Sequence, residues 1–120
     1  MGARKGKRSA DRGGLPDQSR RLRQAREAAG LSQKILGIQA GLDEFVASTR
    51  INRYELGVHK PDLLIAKKLA DVLNVPVAFF YTDADDDLAQ LLLHYWRADT
   101  ATRQQVLAWL GDQQASEAER

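Results

Sequence analysis

Apolar positions along this chain recur every three to four residues in short blocks, and nearly every block is bracketed by a helix start and a helix stop. Leu22, Ala25 and Ala29 share one helical face behind Pro16-Asp17, a proline suited to a first turn and a carboxylate suited to its positive end. Gly30 supplies a left-handed stop. Ser32 then caps a second helix predicted to run to about Ala40, where Gly41-Leu42 ends it. Gly37 falls mid-helix, a costly place unless another backbone approaches closely. A third helix is predicted from Ala47 or Ser48 to Leu56, burying Ile51 and Tyr54 and stopped by Gly57. Pro61-Asp62 opens a fourth, with Leu63, Ala66, Leu69, Ala70 and Leu73 as its buried stripe and Asn74 as its end. After Val75-Pro76, a short fifth helix from Val77 to Tyr81 is expected to close the core with Phe80 and Tyr81.

Beyond Asp83 the pattern changes. Asp85-Asp86-Asp87 suits the positive end of a sixth helix, on which Leu88, Leu91, Leu92, Tyr95 and Trp96 fall at helical spacing. Thr100 or Thr102 is expected to cap a seventh, with Val106, Leu107 and Leu110 on one face and Trp109 beside it. Residues 113–120 read as a frayed tail. Residues 1–14 hold glycines and five Lys/Arg without apolar periodicity, and read as a disordered basic arm. No strand pattern competes. The class is all-α: a five-helix domain over 15–82, then two short C-terminal helices over 83–112.

At 120 residues, 43% of them apolar, the chain suits one ordinary domain rather than a disordered polymer. It has no cysteine, which excludes disulfides and thiolate metal sites. No apolar run approaches a membrane span, and the basic start lacks the apolar stretch of a secretory signal, so the expected compartment is the cytoplasm. The net charge of +2 hides a gradient. Residues 1–34 carry ten Lys/Arg against three Asp/Glu, residues 35–82 carry five of each, and residues 83–120 carry three against eight. A basic front and acidic back suit a protein that meets a polyanion with one end.

Catalytic chemistry is poorly served. The two histidines, His59 and His94, have no metal-ligand spacing or nucleophile partner, and no glycine-rich phosphate loop is present. Three consecutive carboxylates at 85–87 cannot converge on one cation from a helix start. Neither enzyme activity, cofactor nor metal is expected.

Two short helices joined by a turn, the second bearing small polar and basic side chains, form the pattern with which proteins enter the DNA major groove. From about Leu22 to Tyr81 the order of these signals resembles the phage-repressor-like (Cro/Xre-type) helix-turn-helix family, whose members bind double-stranded DNA. Ser48 and Thr49 stand at the start of the third helix, with Arg50, Asn52 and Arg53 behind them. Thr49, Asn52 and Arg53 share one stripe. Arginine can fork onto guanine, Asn52 can pair with adenine, and the Thr49 methyl can touch thymine. Gln33 resembles the family's glutamine that bonds the DNA backbone, and Lys34 and Lys60 flank it as phosphate contacts. The resemblance further implies an ion pair between Arg26 and Glu55 that orients the reading helix. The fourteen-residue step from Gly41 to Glu55 exceeds the family's usual spacing by about one helical turn. In that extra turn Phe45 and Val46 are expected to cover Ile35 and Ile38; left uncovered, these side chains would form an apolar patch for protein contact.

Three readings stay open in the sequence. The basic arm (Arg4, Lys5, Lys7, Arg8, Arg12) either follows DNA or only solubilises. Leu88, Leu92, Tyr95, Trp96 and Trp109 either cover the monomer core or form a homodimer surface, which two half-sites one DNA turn apart would require. The expected function is a repressor binding an inverted-repeat operator as a dimer. The alternative is an antitoxin, or another module that uses this fold to hold a toxin or the transcription machinery.

Overall fold

The computed structural model describes residues 15–83 and 85–118; the basic arm and the last two residues lie outside them. Helix α1 spans Asp17–Ala28, α2 Gln33–Gln39, α3 Ala47–Glu55 and α4 Leu63–Leu73; a 3₁₀ helix covers Val77–Tyr81, and α5 (Asp86–Arg97) and α6 (Thr100–Ala118) complete the described chain. Side-chain oxygens set most of the starts. Ser32 Oγ accepts from the Ile35 amide at 3.1 Å, Asp62 Oδ1 from Ile65 at 2.8 Å and Asp85 Oδ1 from Leu88 at 3.1 Å. For α6 the cap is Asp99, accepting from the Thr102 amide at 2.8 Å, rather than the expected Thr100 or Thr102. Asn74 ends α4 in the left-handed conformation (φ 55°).

The core is shared by α1, α2, α3, α4 and the 3₁₀ helix. Leu22, Leu36, Ile51, Leu69, Phe79 and Phe80 are its largest fully enclosed apolar side chains. Two glycines let the backbones meet. A Cβ on Gly37 would lie 2.7 Å from the Cβ of Ala47, so α2 and α3 cross at a point with no room for another methyl group. A Cβ on Gly57 (φ +75°) would meet the Pro16 ring at 2.8 Å, where the end of α3 abuts the start of α1.

Four expectations need correction. Tyr81 is half exposed, its hydroxyl accepting from Gln18 Nε2 at 3.1 Å, and Phe79 takes the buried place instead. The cause is the 3₁₀ period: residues three apart eclipse, aligning Tyr81 with exposed Ala78 and Phe79 with buried Thr82. Leu63 is exposed because the first turn of α4 overhangs the core, and its buried stripe begins at Ala66. The chain does not fray at 113: α6 continues to Ala118, since Gln113, Gln114, Ala115 and Glu117 are sound helix formers with no proline or capping glycine among them. At 19 residues it is the longest described helix, not a short one.

The two C-terminal helices differ in kind. On α5, Ala89 is buried, Leu93 packs against the core cluster, and Arg97 Nε donates to the Asn74 carbonyl at 3.1 Å. On α6, no residue is buried. Arg21 anchors the junction between the two halves. Its side chain is 2% exposed and donates to the Thr82 carbonyl (3.4 Å), the Asp83 carbonyl (2.5 Å), Asp86 Oδ1 (3.1 Å) and Gln24 Oε1 (2.9 Å), with the guanidinium 5.6 Å from the Phe79 ring centroid. A buried charge is tolerable when its donors are so fully used.

Candidate nucleic-acid interface

Helix α3 has one locked face and one open face. On the locked side Ile51 and Tyr54 enter the core and Glu55 is buried. Arg26 grips Glu55 with two parallel bonds, Nε to Oε2 at 2.5 Å and Nη2 to Oε1 at 3.0 Å, while Arg26 Nη1 donates to the Leu31 carbonyl at 2.9 Å. The hydrogen bond to Glu55 is the main reason the Arg26 pKa lies above its ordinary value. This is the implied ion pair, and it joins α1 to the last turn of α3. Gln33, at the first position of α2, adds a third strap: its Nε2 donates to Glu55 Oε1 at 3.1 Å and to Asn52 Oδ1 at 3.2 Å. The glutamine expected to bond DNA backbone thus braces α3 from within, with its own Oε1 still available.

On the open side, Ser48, Thr49 and Arg53 are exposed and make no side-chain hydrogen bond or ion pair among the described residues. The same holds for Lys34 at the start of α2 and Lys60 after α3. The helix start between them is bare. Val46 caps α3 without a side-chain bond, and the first turn contains no acid. By contrast α2, α4, α5 and α6 each have an oxygen side chain over their first amides. Uncapped amides and the helix dipole together favour an anion at this end.

Two of the expected base readers are not free in the same way. Arg50 folds back: Nη2 donates to the Tyr54 hydroxyl at 2.7 Å, and the guanidinium sits 5.8 Å from the Tyr54 ring centroid. Sequence reading missed Tyr54 as its holder, although the four-residue spacing places the two side chains together. Asn52 keeps Nδ2 open while Gln33 occupies Oδ1. Adenine pairing uses both atoms, so Asn52 would have to share Oδ1 between Gln33 and the base, through its second lone pair.

The extra turn does not cover α2. Phe45 is 87% exposed, and Val46, Ile35 and Ile38 are all exposed too. Asp43 explains the outward set, since its Oδ2 accepts from the Phe45 amide at 3.2 Å and fixes a tight turn that leaves the ring outside. Phe45 therefore stands immediately before the open face of α3.

A helix-turn-helix family model matches residues 22–80. Uncharacterized HTH-type transcriptional regulators of Sinorhizobium medicae (strain WSM419) and Rhizobium meliloti (strain 1021) are each 34% identical over 67 residues, which cover 56% of this chain and 45% of theirs. The chain thus spans under half the length of these curated relatives. A solved structure, the crystal structure of transcriptional regulator BswR, is 38% identical with a TM-score of 0.72, over 78% of this chain and 92% of that one. A turn-linked helix pair with a braced, open-faced second helix, and a solved regulator that this chain spans almost completely, lead to one conclusion: the chain belongs to the Cro/Xre-type helix-turn-helix family of transcriptional regulators.

Proposed function

We propose that this protein is a sequence-specific double-stranded DNA-binding repressor that occupies an inverted-repeat operator as a two-fold dimer and performs no chemical reaction. One observation carries the reading. Helix α3 is fixed on its inner face by the Arg26–Glu55–Gln33 network, while Ser48, Thr49 and Arg53 stand unengaged beside an uncapped helix start. A rigid helix with free short polar and forked side chains is what base reading demands. Lys34 and Lys60 supply salt-dependent attraction to phosphate, and α3 then discriminates between sequences. Among the described residues no helix is long and apolar enough to cross a membrane, in keeping with a regulator that works in the cytoplasm.

A second reading, an antitoxin or similar module that also holds a protein, draws on the uncovered Ile35, Ile38, Phe45 and Val46. The operator reading is tested by selection of bound duplexes from a random DNA library by the full chain at near-physiological salt. An enriched inverted repeat with half-sites about 34–36 Å apart is the expected result. Recovery of DNA without sequence preference would overturn the operator reading and shift the weight to a protein partner.

A further inference from the structure

The extra turn between α2 and α3 holds an aromatic ring with nothing to pack against. Phe45, 87% exposed, is the most exposed large apolar side chain among the described residues and makes no ring contact there. Its position is one where a partner is usual. Phe45 stands immediately before the cap residue Val46, and an apolar residue at that place commonly packs against the fourth residue of the helix. In α3 that residue is Arg50, a cation already turned onto Tyr54. The staple is therefore not made. Yet the backbone that carries the ring is not loose. The Asp43 carbonyl accepts from the Val46 amide at 3.1 Å, Asp43 Oδ2 accepts from the Phe45 amide at 3.2 Å, and the Val46 carbonyl accepts from the Arg50 amide at 2.9 Å. With only two side-chain torsions left to fix, such a ring meets a ligand at little entropic cost.

We propose that Phe45 itself reads DNA: at the edge of each half-site its ring covers the 5-methyl group of a thymine in the major groove. This rests on the DNA-reading role of α3 proposed above and adds to it a reader outside that helix. Place favours it. Recognition helices present their first residues to base edges, and Phe45 precedes α3 by two residues, about 7 Å along the chain, within a groove about 12 Å wide. Charge narrows the target. Asp43 and Glu44 are acids and residues 41–46 contain no cation, so phosphate repels this turn. Base edges do not, since cytosine and adenine present amino donors there and thymine presents a methyl group that suits an aromatic face. Area disfavours a protein in the same place. Phe45, Val46, Ile35 and Ile38 leave on the order of 400 Å² exposed between them, about half of one partner's share of a specific interface.

The test uses the full chain and the duplex it selects, with each thymine replaced in turn, in both half-sites, by deoxyuridine, which lacks only the methyl group. At one position the wild type should lose about fourfold in affinity per methyl group, roughly fifteenfold for the pair. Phe45→Ala should lose as much on the thymine duplex and then be indifferent, within about twofold, to deoxyuridine at that position. Phe45→Leu should keep part of both effects, and Arg53→Ala should leave the response to deoxyuridine intact. Because the ring packs on nothing, Phe45→Ala should melt with the parent. A selected duplex in which no thymine couples to Phe45 overturns the inference and leaves α3 as the reader. So does a Phe45→Ala chain that loses affinity for every sequence alike. A Phe45→Ala chain that binds the selected duplex like the parent also overturns it and returns the ring to contact with a protein. Selection that enriches no duplex removes the operator reading and this inference with it.

Discussion

Replacing Glu55 with alanine takes away a carboxylate that three donors share, two from Arg26 and one from Gln33. Glu55 is 4% and Arg26 13% exposed at the side chain, so water replaces the lost acceptor poorly. The guanidinium cannot discharge to escape the cost. Removing one partner of a buried pair costs about 3–5 kcal/mol. Arg26 retains its bond to the Leu31 carbonyl and a sliver of solvent, which places the expected loss near 3 kcal/mol. For a chain of this size that is a fall of about 10–15 °C in Tm, read by circular dichroism. DNA affinity, measured in the cold where the variant is fully folded, should fall as well, because α3 loses all three of the bonds made at Glu55. Glu55→Gln, which keeps the shape and one acceptor, should fall between the two proteins in both assays. A Tm within about 2 °C of the parent would refute the argument that this pair braces the reading helix.

Other substitutions probe other contacts. Gly37→Ala gains about 0.5–1 kcal/mol of helix propensity, yet its Cβ collides with that of Ala47, so a net loss of about 1–3 kcal/mol is expected in urea unfolding, and Ala47→Gly in the same chain should restore part of it. Arg53→Ala should relax discrimination at one base pair of the selected site, whereas Lys34→Ala should weaken every sequence alike and flatten the salt dependence by about one unit; uniform loss in both would remove Arg53 from base reading. Hydrogen bonds from Thr102, side chain then backbone, hold the Asp99 pKa below its ordinary value. The stabilisation of the α6 start is therefore complete above the usual aspartate range and lost as pH falls through the folded-state value. Acid titration followed at the Thr102 amide by NMR should show that turn opening early, and Asp99→Ala should abolish the pH dependence.

Helix positions were legible because their signals are local. Ser32, Asp62 and Asp85 announce starts, and Gly30, Gly41 and Gly57 announce stops within a few residues of where each acts. The reading helix and its free Ser48, Thr49 and Arg53 came from the same kind of signal. What the sequence hid depends on distant partners. Nothing near Arg21 in the chain foretells a buried cation, since its acceptors at Thr82 and Asp83 lie some sixty residues away. The bonds of Gln33 to Glu55 and Asn52 were hidden in the same way, since folding brings those partners to it from about twenty residues away. Phe45 shows the limit from the other side: an aromatic ring beside two isoleucines suggests a lid, but the Asp43 turn sets its direction and leaves it in water.

The family segment stops at residue 80, but the physical unit does not. Arg21, one residue before the segment begins, is held by carbonyls that come two and three residues after it ends. A fragment trimmed to the recognisable boundaries would discard both the cation and its acceptors, and one trimmed only at the far end would strand a charge against Phe79 with most of its partners gone. Because the acceptors at Thr82 and Asp83 are main-chain carbonyls, the requirement falls on the path of the chain and not on its side chains: whatever sequence follows Tyr81, its backbone has to turn back over Arg21 before the rear helices can begin.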